Sequence, residues 1–277
     1  MNLLEKNLLI LFSLFLFSGC SSQPQFIKKN IELRVLFIYE DIDSKNAELF
    51  ANKAIFSLNK SFIDSGIENI GFISSGVIKT KIRRAKTEYY SNPKEMLIQN
   101  KKSQQIYNLK KRSRSEIVVF IKKSSYALVE ERLDLRESNK ELFLSGIGNF
   151  SHDLKMNLND YSINHRKRIF LDSQLVVNFN LSRDGMNTYI HEMGHIFGLT
   201  HGHEDDGIFY FAKGFAKRNS LSSIMCYSKI TNSIETPVFS GPNVYVNGIR
   251  MGDDNHNSVR AIKIIAPRLK ALTYSIL

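Results

Sequence analysis

The amino-acid sequence predicts an α/β (α+β) fold, in which helices cover a mostly parallel sheet and a smaller irregular part ends in a helix. First, apolar runs rich in β-branched residues alternate with helical patterns over the first two thirds of the chain. Second, this alternation stops at Gly198, after which turn-forming residues dominate. Third, 277 residues can form one large domain or two lobes that share a cleft.

Continuous apolar runs predict the strands, because a strand buried on both faces has no polar side. The predicted strands are 31–39, part of 67–82 with a kink at Gly76, 116–122, a short irregular edge strand at 146–150, and 175–179.

Apolar residues at helical spacing predict four helices. The first covers 44–64, with Ser44 as a plausible N-cap and Gly66 just beyond its end. The others are 93–109 with a proline in its first turn, 182–197, and 255–272, where Pro267 implies a kink or a late break. Segment 124–143 is charged and ambiguous.

The N-terminus is typical of an exported protein. The ten-residue run 8–17, apolar except for Ser13, is too short to span a bilayer but suits the core of a signal peptide over 1–19. The following Phe17-Ser18-Gly19-Cys20 resembles a bacterial lipobox, which predicts lipidation of Cys20, a membrane anchor, and a tether over 20–30. The alternative is plain secretion after cleavage nearby.

Charge is concentrated in one segment. Residues 79–123 hold fourteen Lys or Arg and three Glu, an excess equal to the net charge of the whole chain, +11. The segment is either a solvated face or a site for anionic headgroups, polysaccharide or acidic substrates. It carries no nucleic-acid motif, so no nucleic-acid partner is expected.

The sequence from His191 to His201 predicts a zinc site. His191 and His195 are four residues apart, so they share one face of a helix, and Glu192 follows the first directly. Gly198 permits the chain to turn after the helix, which brings His201 back toward the ion. Three neutral imidazoles plus water form a catalytic zinc arrangement, and this pattern is the metzincin motif. His203 is an alternative third ligand that misses the spacing.

A methionine turn is expected downstream of that motif, and Ser223-Ile224-Met225-Cys226-Tyr227 matches it. A thioether is a poor zinc ligand beside three imidazoles, so Met225 is expected to form an apolar floor under the histidines. Cys226 is expected to act as a small buried hydrophobic residue. If Cys20 is lipidated, Cys226 has no partner for an intrachain disulfide.

With these motifs the chain resembles a metzincin metallopeptidase, and segments 58–67, 239–244, 257–261 and 266–267 are similar to bacterial reprolysin-like peptidases. The resemblance implies a five-stranded upper sheet with one antiparallel edge strand, suited by 146–150, and cleavage of peptides laid along that edge. It also implies that Tyr227 approaches the metal and stabilises the oxyanion; the alternative is a tyrosine packed under the site. The third histidine is usually followed by aspartate in the adamalysin and reprolysin branch, whereas Gly202 stands here.

One further group could bind a metal. The oxygen atoms of Asp253, Asp254 and Asn255 could hold Ca²⁺, but capping of the helix ahead of Asn257 is the favoured interpretation.

The predicted function is hydrolysis of peptide bonds in a protein or peptide substrate by a lipid-anchored zinc endopeptidase of the bacterial envelope. Its upper lobe would be 31–198 and its lower lobe 199–277, with the zinc between them. Glu192 is the predicted general base. Two alternatives are a catalytically silent lipoprotein that binds through its basic face, and a zinc amidase acting on cell-wall peptides.

Overall fold

The computed structural model describes residues 30–81, 103–123, 146–149, 151–202, 207–226 and 231–277. The predicted signal peptide, the lipidation site Cys20, segment 124–143, His203 and Tyr227 lie outside these ranges. So does most of the predicted tether and the first part of the predicted helix 93–109.

A five-stranded sheet in the order β2-β1-β3-β5-β4 organises the fold. Its strands are β1 (Ile31–Tyr39), β2 (Ile70–Lys79), β3 (Ile117–Lys122), β4 (Gly146–Asn149) and β5 (Gln174–Asn178). The four longer strands run parallel, and β4 pairs antiparallel with β5 at one edge. The mostly parallel sheet and its antiparallel edge strand are therefore confirmed.

An irregularity in β2 coincides with the kink predicted at Gly76. Val35 pairs with Ser74 and Leu36 with Gly76, so Ser75 is an extra residue and the strand forms a β-bulge. Gly76 has a φ of +152°, which a residue with a side chain rarely adopts.

Five α-helices accompany the sheet in the described residues. They are α1 (Ser44–Asp64), α2 (Gln104–Ser113), α3 (Ile163–Asp172), α4 (Arg183–Ile196) and α5 (Ser258–Tyr274). Apolar residues of α1, α4 and α5 form one core with one face of the sheet, whereas Ile106 of α2 packs against Leu36 and Phe120 on the other face. No helix in these ranges has the length and apolar character needed to cross a membrane.

Three local expectations need correction. The N-cap of α1 is Asp43, whose carboxylate accepts a hydrogen bond from Asn46 N, and not Ser44. Ser103 has an extended backbone and caps α2, which runs from Gln104 to Ser113 and so ends four residues later than predicted. Helix α5 runs through Pro267 to Tyr274, so the proline does not end it.

The basic segment is not uniformly a solvated face. Lys110 is fully buried, and its ammonium group donates to the carbonyls of Phe170 and Ser173 at the end of α3. Removal from water lowers the pKa of Lys110 to about 7, although Glu116 and Asp172 oppose the change. This lysine therefore satisfies carbonyl groups at the C-terminus of a helix.

Short strands dominate the chain beyond α4. They are β6 (Leu221–Ser222), β7 (Ile234–Glu235), β8 (Tyr245–Val246) and β9 (Ile249–Arg250). Residues from both sides of Gly198, such as Ile196 and Ile262, nevertheless belong to one hydrophobic core. The division into two lobes stays a prediction.

Candidate metal centre

Helix α4 presents two of the predicted ligands. Ser182 caps its N-terminus, since its hydroxyl accepts a hydrogen bond from Gly185 N at 3.1 Å. His191 and His195 lie one helical turn apart, with ring centroids 4.9 Å from each other. Both rings are half-buried, so they line an accessible face of the helix.

A left-handed turn at Gly198 ends the helix and reverses the chain. Gly198 has a φ of +74° and donates to His195 O, while Leu199 N donates to Gly194 O. These two bonds form a Schellman motif. A Cβ at position 198 would lie 2.6 Å from Cβ of Ile208, so close packing as well as backbone conformation favours glycine here.

The turn brings His201 to the other two histidines. His201 Nε2 lies 3.1 Å from His191 Nε2, and ligand atoms of all three side chains lie within 4.8 Å of one another. The segment is fixed by backbone pairing, because Thr200 N donates to Ala212 O and Gly214 N donates to Thr200 O. The three histidines could therefore hold a metal ion together.

Backbone carbonyls orient the two helical imidazoles. His191 Nδ1 lies 2.7 Å from the carbonyl oxygen of Ile224, and His195 Nδ1 lies 2.8 Å from that of Leu199. A carbonyl oxygen only accepts, so each Nδ1 carries the proton and leaves the Nε2 lone pair for a metal. Removal from water lowers the pKa of His191 to about 3, with His195 adding to the effect. The ring is thus neutral, which is the form that binds metal.

Glu192 lies beside the histidines and under the edge strand. Its side chain is buried, and its carboxylate accepts a hydrogen bond from Gly148 N of β4. Within the described residues Oε2 has no hydrogen-bond partner. Burial raises the pKa of Glu192 to about 8, against the lowering effect of the Gly148 bond.

Gly148 permits this close approach of β4 to α4. A Cβ at position 148 would collide with the carbonyl oxygen of Glu192 and would lie 3.0 Å from Cβ of His195. Sequence reasoning assigned the glycine only to an irregular strand. Because glycine has no side chain, the edge strand can come close enough to contact the Glu192 carboxylate.

Met225 packs against Gly194 of α4. It is fully buried, and its Sδ occupies the space that a side chain at Gly194 would need. Cys226 is also buried, and Gly202 N donates to its sulfur. Burial raises the pKa of the Cys226 thiol, so the thiol is protonated and packs as a small hydrophobic residue.

The group at Asp253 is built as a turn. Asp253 Oδ1 accepts from the backbone N–H groups of Asn255 and His256 and lies 2.9 Å from His256 Nδ1. Asn257 then caps α5 by accepting from Arg260 N. These bonds agree with the capping interpretation, and the calcium alternative gains no support from them.

A second carboxylate near α4 was missed. Asn187 lies one turn before His191, and its Nδ2 donates to Glu235 Oε1 at 3.1 Å. Burial raises the pKa of Glu235 to about 7. The only sequence signal was the helical spacing of Asn187 and His191, because the approach of β7 to α4 is a tertiary contact.

No family model matches the chain, and no curated protein matches it. Among solved structures, one described as "Structure of a chaperone-substrate complex" has a TM-score of 0.60 and 15% sequence identity. The match covers 88% of this chain and 35% of the other, so the chain spans about a third of that protein's length. The likeness shows a shared fold.

A second solved structure is "Crystal Structure of metalloproteinase-II from Bacteroides fragilis". It has a TM-score of 0.36 and 14% identity, with 66% of this chain and 47% of the other covered. A TM-score this low does not establish a shared fold.

Proposed function

We propose that this protein is a zinc-dependent endopeptidase of the metzincin type. One observation carries the proposal: three imidazoles converge at one point while a buried carboxylate directly follows the first of them. Nitrogen donors from three histidines are the ligand set of an open catalytic zinc site, whereas structural zinc sites are usually closed by four protein ligands.

The residues fit Zn²⁺ in both distance and chemistry. Two nitrogen ligands at tetrahedral positions around zinc lie about 3.3 Å apart, given zinc–nitrogen bonds of about 2.0–2.1 Å. His191 Nε2 and His201 Nε2 are separated by 3.1 Å. The carbonyls of Ile224 and Leu199 supply the outer hydrogen bonds that such ligands require.

Bound zinc would supply a Lewis acid that polarises the scissile carbonyl and lowers the pKa of water. Glu192 would accept a proton from the attacking water on Oε2, the oxygen without a described partner, and deliver it to the leaving amine. Gly148 N would hold the carboxylate in place during both transfers. Beside a cationic centre Glu192 ionises more readily than in the metal-free protein, which suits a base.

The free edge of β4 is the proposed position of the substrate backbone. In the described sheet β4 pairs with β5 on one side only, so its other side can hydrogen-bond an extended peptide. Since Gly148 also contacts Glu192, a peptide along this edge would pass close to the histidines. Tyr227 is proposed to stabilise the oxyanion.

Cleavage and metal content together test the proposed function. We expect the full chain to cleave casein or a peptide library and to retain about one zinc per chain. Glu192→Ala should lower cleavage by about 10²–10⁴-fold while keeping the zinc, because the ligands are unchanged. Zinc binding without cleavage of any peptide would instead support the binding-module alternative.

The proposed location is the bacterial envelope, through a lipid at Cys20. We expect cells that express the full chain to incorporate labelled palmitate into it, and Cys20→Ala to abolish the label. Cys226→Ala is the matched control, since that thiol is buried and should not affect labelling. Wild-type protein without label would show that the anchor is wrong.

A further inference from the structure

A half-buried acidic site lies one helical turn from His191 and has no role in the proposed chemistry. Its carboxylate belongs to Glu235 in β7, and its second member is Asn187 on α4. Asn187 precedes His191 by four residues, so the two side chains are neighbours on one helix face, about 6 Å apart along the axis.

Backbone pairing fixes the position of Glu235 in β7. Strand β7 pairs with β6 so that Glu235 lies opposite Ser222, and Thr236 N donates to Ser222 O. Ser222 is two residues before Ile224, whose carbonyl binds His191 Nδ1. The bond to Asn187 on α4 and the pairing of β7 with β6 therefore place Glu235 near His191.

Glu235 has an amide partner but no cation at bonding distance among the described residues. Its described hydrogen bond comes from Asn187 Nδ2 at 3.1 Å. Asp184 repels and Arg183 attracts its negative charge, without a described ion pair to Arg183; both residues are exposed, while Glu235 is half-buried. A carboxylate that is partly removed from water and lacks a counter-ion is unstable as an anion. A cation that arrives with a ligand would supply the missing charge.

We infer that Glu235 is a specificity-determining residue that selects substrates with a lysine or arginine side chain next to the scissile bond. This inference rests on the proposed peptidase function. Asn187 would orient the carboxylate, and the ammonium or guanidinium group would bind the remaining oxygen. Glu235 binds Asn187, one helical turn from His191, so a long basic side chain of a residue next to the scissile bond can reach it.

Matched peptides test this selection directly. The substrates differ only at one position next to the cut, occupied by lysine or by its uncharged analogue norleucine. We expect wild type to favour lysine in kcat/KM, and Glu235→Gln to reduce the lysine rate by about 10–100-fold, as expected for losing a hydrogen bond to a charged group. Cleavage of the norleucine peptide should change by less than about 3-fold, since glutamine keeps the acceptor for Asn187.

Glu48→Gln is the matched control, because it makes the same change at an exposed glutamate on α1. It should leave the lysine preference unchanged. Equal rates for lysine and norleucine in wild type, or a preference that survives in Glu235→Gln, would overturn the inference while leaving the peptidase proposal intact.

A binding measurement separates this inference from the proposed function. N-acetyl-lysine amide should raise the Tm of the zinc-loaded wild type, and N-acetyl-norleucine amide should not. Glu235→Gln should lose the lysine-dependent shift, and Glu48→Gln should keep it. If no peptide is cleaved but this pattern holds, the peptidase proposal fails and the cation site stands. If no shift occurs, the cation site is wrong.

Discussion

The two parts of the metal centre are built by different means. His191 and His195 stand on one helix, where their separation follows from helix geometry. His201 lies beyond that helix and reaches the same point through a left-handed turn and the pairing of Thr200 with Ala212. The helical pair depends on local structure, while the third ligand depends on one glycine and on tertiary contacts.

Removing a ligand from either part has the largest expected effect. His195→Ala and His201→Ala should each weaken zinc binding by more than the roughly 10–100-fold typical of losing an outer-shell partner. A competition titration with a chromogenic chelator measures the affinity. His256→Ala is the control, because that ring pairs with Asp253 and is not in the histidine cluster. Wild-type zinc affinity in His201→Ala would show that His201 is not a ligand.

Disturbing the turn should affect the third ligand while leaving the helix in place. Gly198→Ala forces a side chain into a left-handed conformation and against Ile208, whereas Gly66→Ala at a φ of +71° meets nothing within 4 Å. We expect Gly66→Ala to cost roughly 1–2 kcal/mol of unfolding free energy from the backbone alone. Gly198→Ala should cost about 1–3 kcal/mol more, from overpacking.

Urea unfolding measures both values, and we expect zinc titration to show weaker metal binding for Gly198→Ala and unchanged binding for Gly66→Ala. The double variant Gly198→Ala/Ile208→Ala separates the two contributions at the turn. In this double variant the destabilisation that comes from the Ile208 contact should be absent, and the destabilisation that comes from the backbone conformation should remain. Equal destabilisation by the two single variants would show that the contact is unimportant.

Weakening the start of α4 should have the smallest effect. Ser182→Ala removes the cap and should lower stability by about 1 kcal/mol, without moving the histidines three turns later. Ser162→Ala, which removes the equivalent cap of α3, is the matched control and should cost a similar amount. A larger loss of zinc affinity in Ser182→Ala than in Ser162→Ala would show that the positions of His191 and His195 depend on the N-terminal cap of α4.

Much of the fold could be predicted because its signals are local. The apolar runs of β1, β3 and β5 and the bounds of α4 lie within one or two residues of the prediction. The histidine cluster could also be predicted, since the spacing of its members and Gly198 already imply a helix followed by a turn. Each of these features depends on residues close together in the sequence.

Other features could not be predicted because they depend on contacts between distant segments. Lys110 looked like part of a charged surface, yet it binds carbonyl groups about sixty residues away. Gly148 lies in β4, before α4 in the sequence, and Glu235 lies in β7, after it, yet both residues contact α4. Asp43 and Ser44 are both good N-caps, and only the backbone conformation distinguishes them.

The hydrogen bond from His195 Nδ1 to Leu199 O has an evolutionary consequence. Leu199 lies in the same turn that positions His201, so a homologue without this turn would misplace the rings of both His195 and His201. Gradual exchange of one donor for another is therefore a poor route of divergence for this centre. Homologues that no longer bind the metal should have lost the glycine at position 198 as well as the histidines. A survey of distant homologous sequences can test whether these losses occur together.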